Sequence, residues 1–271
     1  MIKVETIKKQ EFKHGPPLSL IIPLKDRCGI RLQNCLRGIQ LQTQPNIETI
    51  IVDYGSTKEN HEQLLLDTSL FDCTIYRYPT DKIWSPAVAK NIGIRRARGT
   101  HIATLDADCI MEQRVIENTL KLHKKTETGF VETKMAFLPQ ELDITKIKLP
   151  RDFPVFRENY SLRKHGFGSF LSVHRDWWFD VRGCDERMQG WGGNDDDVRT
   201  RVRRSKYNRL ILSDLGGPQT MIFHQWHPPS LRVFLNRYGD VFDTMWKRNV
   251  AILKNDKTIR RNNVNWGVPN D

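Results

Sequence analysis

The chain has 271 residues, with 43 Lys and Arg against 32 Asp and Glu, for a formal net charge of +11. At 38% hydrophobic and 28% charged residues it is neither a disordered polyelectrolyte nor a membrane-buried chain, and its length suits one large domain, or one domain with an appendage. No apolar run reaches the ~18 residues that span a bilayer, and the lysine-rich N-terminus shows no apolar signal-peptide core, so a cytoplasmic protein is expected.

Residues 18–24, Leu-Ser-Leu-Ile-Ile-Pro-Leu, form a short unbroken apolar run, the pattern of a strand buried on both faces. Helical spacing follows over 31–44, a second strand over 47–53, a helix over 59–66 and a third strand over 73–78. Ser85-Pro86 offers an N-cap followed by proline at the first helical position, and Gly99 closes that helix. The strand 101–105 then runs directly into Asp106-Ala107-Asp108. This alternation predicts an α/β fold with a mainly parallel sheet flanked by helices. Ligands of such sheets bind beyond the carboxyl ends of the strands, where Asp26, Asp53 and Asp106 all fall.

The rhythm breaks after about residue 137. Residues 139–159 read as a long connection or lid-like insertion, 166–173 as a strand, 197–207 as a short basic helix and 220–223 as a strand. Residues 231–253 read as an amphipathic helix with Met245 and Trp246 among its apolar positions. The five cysteines are odd in number and none sit at C-x-x-C spacing. Free thiols are therefore expected, rather than a disulfide framework or a structural zinc site. The charge is unevenly spread: residues 198–271 hold 14 basic and five acidic residues, a net of +9, which leaves +2 for the first 197.

Three groups carry chemistry. Asp106 and Asp108 place hard oxygen donors one residue apart at a strand end, suited to Mn²⁺ or Mg²⁺ between protein and phosphates. In 190–197, Gly-Trp-Gly-Gly-Asn-Asp-Asp-Asp, glycines allow close approach of a ligand. There Trp191 can cover a sugar face, and crowded carboxylates suit a general base. His224, with His227 three residues on, can supply an imidazole to the same metal.

Together these motifs resemble family-2-type glycosyltransferases of the GT-A fold. The likeness runs through 18–27, 51–56, 89–93, 97–99 and 105–108, and 190–197 is similar to the Gly-Trp-Gly-Gly-acidic signature of beta-1,4-galactosyltransferases and bacterial chondroitin-type polymerases. Met221-x-x-His224 matches the galactosyltransferase pattern too. The resemblance implies a GT-A domain over 18–229, preceded by an extension (1–17) and followed by a basic helix and tail (230–271). Its Rossmann-like nucleotide-sugar half would span 18–137, and its acceptor and metal-completing half 138–229. Pro23, Arg27, Asp53, Lys90, Asn91, Asp106 and Ala107 would bind the donor, Asp53 at the uracil. Asp108, His224 and Asp106 would hold Mn²⁺ or Mg²⁺, with His227 the alternative ligand. Asp195 would be the catalytic base, with Asp196 beside it, and Trp191, Gly192, Gly193, Asn194 and Asp196 would meet the acceptor. Asn194 stands where the family usually has a Glu that helps hold the acceptor sugar.

The implied reaction is metal-dependent, inverting transfer of a hexose or N-acetylhexosamine from a UDP-sugar to a hydroxyl, in glycan or polysaccharide synthesis. The acceptor would be a saccharide or a lipid-linked saccharide, anionic if the C-terminal charge steers it. Peripheral attachment to the inner face of an anionic membrane fits that charge as well. A nucleic-acid base hydroxyl as acceptor, and an inactive nucleotide-sugar binding module, are the rival expectations.

Overall fold

The computed structural model describes residues 3–12, 14–163, 167–190, 192–228 and 241–269, with 241 and 242 by backbone alone. The first strand, β1 (Glu5–Lys8), precedes the apolar run, which forms β2 (Leu18–Leu24) with every residue buried. Then come α1 (Ile30–Gln40), β3 (Glu48–Asp53), α2 (Lys58–Asp67), β4 (Thr74–Arg77), α3 (Pro86–Arg96) and β5 (His101–Leu105). The Ser85 side chain accepts a hydrogen bond from the Val88 N–H and Pro86 sits in the first turn, so α3 begins where the cap predicts. After β5 follow β6 (Cys109–Met111), α4 (Val115–His123), β7 (Gly129–Glu132), β8 (Met135–Phe137), α5 (Phe153–Glu158), β9 (Ser161–Leu162), β10 (Phe170–His174) and α6 (Arg175–Asp180). The chain goes on through α7 (Asn194–Arg204), β11 (Asn208–Ile211), α8 (Leu212–Leu215), β12 (Ile222–His224) and α9 (Val241–Asn255). The earlier part of the predicted C-terminal helix, 231–240, lies outside the described residues.

The eight-stranded sheet has the order β1-β4-β3-β2-β5-β10-β7-β11. Strands β2, β3, β4 and β5 are mutually parallel, as the alternation predicts. The sheet is nonetheless mixed, because β1 runs antiparallel to β4 and β10 antiparallel to both β5 and β7. Along β2, Leu20, Ile22 and Leu24 face the core under α1 and α2, while Ile21 faces the core under α3 and α6, the period of two that a strand imposes.

A second sheet, β6-β12-β8-β9, extends from the carboxyl end of β5. Residues 139–159 pack beneath it rather than forming a lid. Phe153 and Phe156 are buried with Phe223 of β12, with ring centroids 6.2 Å and 5.3 Å from it. Glu112, fully buried, accepts from Arg157 at 2.6 Å and from the Met221 N–H at 2.9 Å, which fastens that insertion to β12. None of the described helices is long and apolar enough to cross a membrane.

Candidate active site

The carboxyl ends of β5 and β12 meet over one polar pit. Asp108 lies just past β5, and β12 delivers His224 antiparallel to β6, with His224 paired to Cys109. The His224 Nε2 stands 3.7 Å from one carboxylate oxygen of Asp108 and the His227 Nε2 3.2 Å from the other. One donor atom from each of the three residues lies within 4.8 Å of the other two. The sequence treats His227 as the alternative to His224; the structure brings both to Asp108. Gln225, between them, explains how. It is fully buried, its backbone N–H donates to the Asp108 carbonyl at 3.0 Å, its amide donates to the same carbonyl at 3.1 Å, and it accepts from Asn34 at 2.9 Å. Nothing in the motif pattern marks Gln225, although a fully polar side chain between two histidines at a strand end is a signal of buried pairing.

The electrostatics suit cation binding. Burial works to raise Asp108, but the hydrogen bond from His227 and the charges of His224, His227 and Arg27 outweigh it and hold the carboxyl down at about 2. Burial lowers His224, which favours the neutral imidazole a metal requires. Its Nδ1 is buried with no partner among the described residues. Asp106, one turn of backbone away, takes a hydrogen bond from the Ser169 hydroxyl at 2.7 Å. Burial, helped by Asp108 and Asp195, pushes it up to about 6 against the pull of Lys90. Ser169 is a second residue that the sequence patterns miss.

The three consecutive acids of α7 do not share a role. Successive helical residues point about 100° apart, and each carboxylate meets its own cation. Asp195, with two-fifths of its side chain exposed, accepts from the buried Lys90 Nζ at 2.7 Å. Asp196 is exposed and pairs with Arg199. Asp197 is buried between Arg201 at 2.8 Å and Arg261 at 3.0 Å. Burial works to lower the Lys90 ammonium, but Asp195 and Asp106 outweigh it and hold it raised. The other side of Asp195 is walled by Gly168. A Cβ there would fall 2.9 Å from the Asp195 Oδ2, at a φ of +122°. Trp191 lies outside the described residues; Gly192 and Gly193 lead directly into α7, and Asn194 is buried at its first turn.

Two of the residues expected at the donor are fully buried. Asn91 has no exposed surface: its amide donates to the Cys184 carbonyl and to Glu186, both at 2.9 Å, and accepts from the Cys184 N–H at 2.7 Å. Its hydrogen bonding is spent on tying α3 to the segment after α6. Asp53 is likewise fully buried. It accepts from the Ser56 N–H at 2.9 Å and meets the His61 Nδ1 at 2.8 Å, so it shapes the turn after β3 from beneath. Above that turn opens a cavity of about 390 Å³ lined by Lys25, Gly55, Ser56, Thr57, Arg77, Pro79, Thr80 and Asp81. Pro23 and Ala107 are buried beside the strand ends, and Arg27 is partly exposed there.

Residues 19–170, more than half of the chain, match the family described as Glycosyl transferase family 2, and residues 151–225 match the N-terminal domain of galactosyltransferase. An uncharacterized glycosyltransferase of Rickettsia felis is 34% identical over 128 residues, 47% of this chain and 20% of its own length. Beta-1,4-galactosyltransferase 4 of Homo sapiens is 41% identical over 68 residues, 24% of this chain and 19% of its own length. The chain spans about a fifth of the length of the three Rickettsia relatives it matches. Among solved structures, the mannosyltransferase PcManGT from Pyrobaculum calidifontis, in complex with GDP-Man and Mn²⁺, superposes with a TM-score of 0.61 at 16% identity, over 94% of this chain and 68% of that one. GalNAc-T7 with UDP, GalNAc and Mn²⁺ gives 0.59 at 15% identity, over 81% and 45%. Such identities speak for the fold, which is GT-A.

Proposed function

We propose that this chain, which belongs to glycosyl transferase family 2 and is a glycosyltransferase, moves a hexosyl or N-acetylhexosaminyl unit from a UDP-sugar to a saccharide hydroxyl, with inversion. The observation that carries this reading is the convergence of Asp108, His224 and His227 at the strand ends. A carboxylate and two imidazoles are a donor set for a divalent first-row ion, and Mn²⁺ is the ion named with both solved neighbours. Asp108, His224 and His227 would hold the ion. When bound, it supplies charge stabilisation to the leaving diphosphate.

The chain's own groups do the rest. Lys25, Ser56 and Arg77 line the cavity that receives the nucleoside, with Asp53 acting through Ser56 rather than by contact. Arg27, whose positive charge already acts on Asp108 and His224, lies within reach of the diphosphate. Asp106, held by the Ser169 hydroxyl, would serve the ribose. Asp195 accepts the proton of the acceptor hydroxyl as that oxygen bonds to the sugar's anomeric carbon and the bond to UDP breaks on the opposite face. Lys90 keeps the carboxylate aimed. Residues 18–137 then serve the donor, and 138–229 complete the metal site and receive the acceptor. The two structural neighbours, one with GDP-Man and Mn²⁺ and one with UDP, GalNAc and Mn²⁺, support the metal and nucleotide-sugar part of this reading.

The test is UDP release from UDP-glucose, UDP-galactose, UDP-N-acetylglucosamine and UDP-N-acetylgalactosamine, with Mn²⁺ and with EDTA. Release from at least one donor that EDTA abolishes is expected. His224→Ala should raise the Mn²⁺ concentration needed. Asp195→Asn should cut transfer by about a hundredfold or more. Near wild-type transfer by Asp195→Asn would exclude it as the base, and metal-independent release would exclude the metal reading.

A further inference from the structure

We propose that Trp246 forms a wall of the acceptor subsite and stacks on the apolar face of a saccharide ring whose hydroxyl is presented to Asp195. This rests on the reading of Asp195 as the base.

Helix α9 is clamped to the loop that leads into α7. Asn249 has no exposed surface, its amide donates to the Gln189 carbonyl at 2.8 Å and the Gly192 carbonyl at 2.9 Å, and its oxygen accepts from the Gln189 N–H at 3.3 Å. One turn earlier on the same helix, Trp246 lies against Gly192. A Cβ built on Gly192 would fall 2.7 Å from the Trp246 Cδ1, so the indole rests directly on loop backbone, and only glycine leaves room for it. Met245, its neighbour, is buried against Ile83 and Trp84, so the helix is anchored on that side too. Trp246 nonetheless keeps 41% of its surface exposed.

A large aromatic ring held in place from two directions yet left open to solvent forgoes burial that is worth about 2 kcal/mol. Its position supplies a use. Gly193 caps α7, and the partly exposed Asp195 stands two residues on. Between them, the Asn194 Oδ1 is buried and has no partner among the described residues. An aromatic face beside a few convergent polar acceptors is the chemistry that recognises a sugar ring, with apolar C–H groups on its faces and hydroxyls at its rim. Tyr160, the other exposed aromatic among the described residues, packs beside Phe223 in the second sheet and has no such neighbours.

The experiment measures UDP release with Mn²⁺ while a panel of glucose, galactose, N-acetylglucosamine, N-acetylgalactosamine and glucuronic acid, each also as a β-linked disaccharide, is titrated. For the sugar that stimulates wild-type release most, Trp246→Ala should raise the half-saturating concentration about tenfold. The half-saturating UDP-sugar concentration should move less than twofold. Trp246→Phe, which keeps a ring, should recover most of the loss. An unchanged sugar requirement in Trp246→Ala, or a parallel loss of donor affinity, would overturn the assignment. So would a panel in which no saccharide stimulates release. In each of these cases metal-dependent donor hydrolysis would still stand for the glycosyltransferase reading, whereas its absence from the wild type would sink that reading instead.

Discussion

Replacing Arg261 by Met removes a guanidinium with no exposed side-chain surface from among three carboxylates. Its Nη2 lies 3.0 Å from the Asp197 carboxylate and its Nε 3.7 Å from that of Asp185, and it also pairs with Asp256. Breaking a buried pair costs about 3–5 kcal/mol, because the remaining charge stays buried and unpaired. Here both buried partners retain a second cation. Asp197 keeps Arg201 at 2.8 Å, and Asp185 keeps Arg187 at 2.6 Å. The expected loss therefore falls below the full range, at about 2–3 kcal/mol. For a chain of this size that lowers the thermal midpoint by roughly 5–10 °C. Differential scanning calorimetry at pH 7 measures the shift. The double variant Arg261→Met with Asp197→Asn should lose less than the sum of the singles, with a coupling of about 1–2 kcal/mol. A shift under about 2 °C, or strict additivity, would refute the claim that the C-terminal segment is bound to α7 through this charge cluster.

Lys90→Met should lower transfer by about tenfold to a hundredfold, since Asp195 loses the cation that aims it. The Mn²⁺ requirement should be unmoved, and steady-state rates against metal concentration separate the two. On stability against pH, burial and His174 hold His101 down at about 4, while burial, His101 and His174 hold His123 down at about 3. The two rings stack at 4.2 Å, and His123 meets the Ser172 hydroxyl at 2.9 Å. Both values lie below the ordinary 6.5 of the unfolded chain, so the stabilisation is complete above pH 6.5 and drains away as pH falls towards 4. At pH 5 the loss should be about 2 kcal/mol for one such histidine, with the coupled pair losing less than twice that. Urea midpoints at pH 7.5, 6 and 5 check it, and a flat profile would contradict it.

The parts that sequence makes legible are those governed by local pattern. The run 18–24 reads as a doubly buried strand because nothing polar but Ser19 interrupts it, and Ser19 is satisfied by a short bond to Glu48. Ser85 and Pro86 announce α3 because a cap is a three-residue event. Asp106 and Asp108 stand out because a strand ends at them. What stays hidden depends on partners distant in the chain. The antiparallel insertion of β10 between β5 and β7 pairs residues more than 60 positions apart in one case, and a three-residue strand such as β6 is too short to show a period. Asp53 stands at the end of a strand, whereas Asn91 lies within α3 and is assigned to the donor only through the family resemblance. The hydrogen bonds of Asn91 go to Cys184 and Glu186, more than 90 positions away, and those partners are invisible to local pattern.

The same distinction governs the C-terminal charge. Along the chain, the net +9 after residue 197 suggests a basic surface waiting for an anion. In space much of it is already matched. Arg201 and Arg261 neutralise Asp197 and Asp185, and Arg199 and Arg209 converge on the fully buried Glu132. These cations serve acids contributed by the first 197 residues as well as by their own segment, so segment charge overstates surface charge. Arg232 and Arg237 lie outside the described residues. Beside these pairs, the exposed cations of the segment are Arg203, Lys206, Lys247, Arg248, Lys254, Lys257 and Arg260, of which Lys247 pairs with Asp243 on its own helix. Of these, Lys247 and Arg248 directly follow Trp246 on α9. Lys247, Arg248 and Lys254 lie on the same helix that abuts the loop before Asp195. On the proposed reading, these cations and Trp246 would share one acceptor approach.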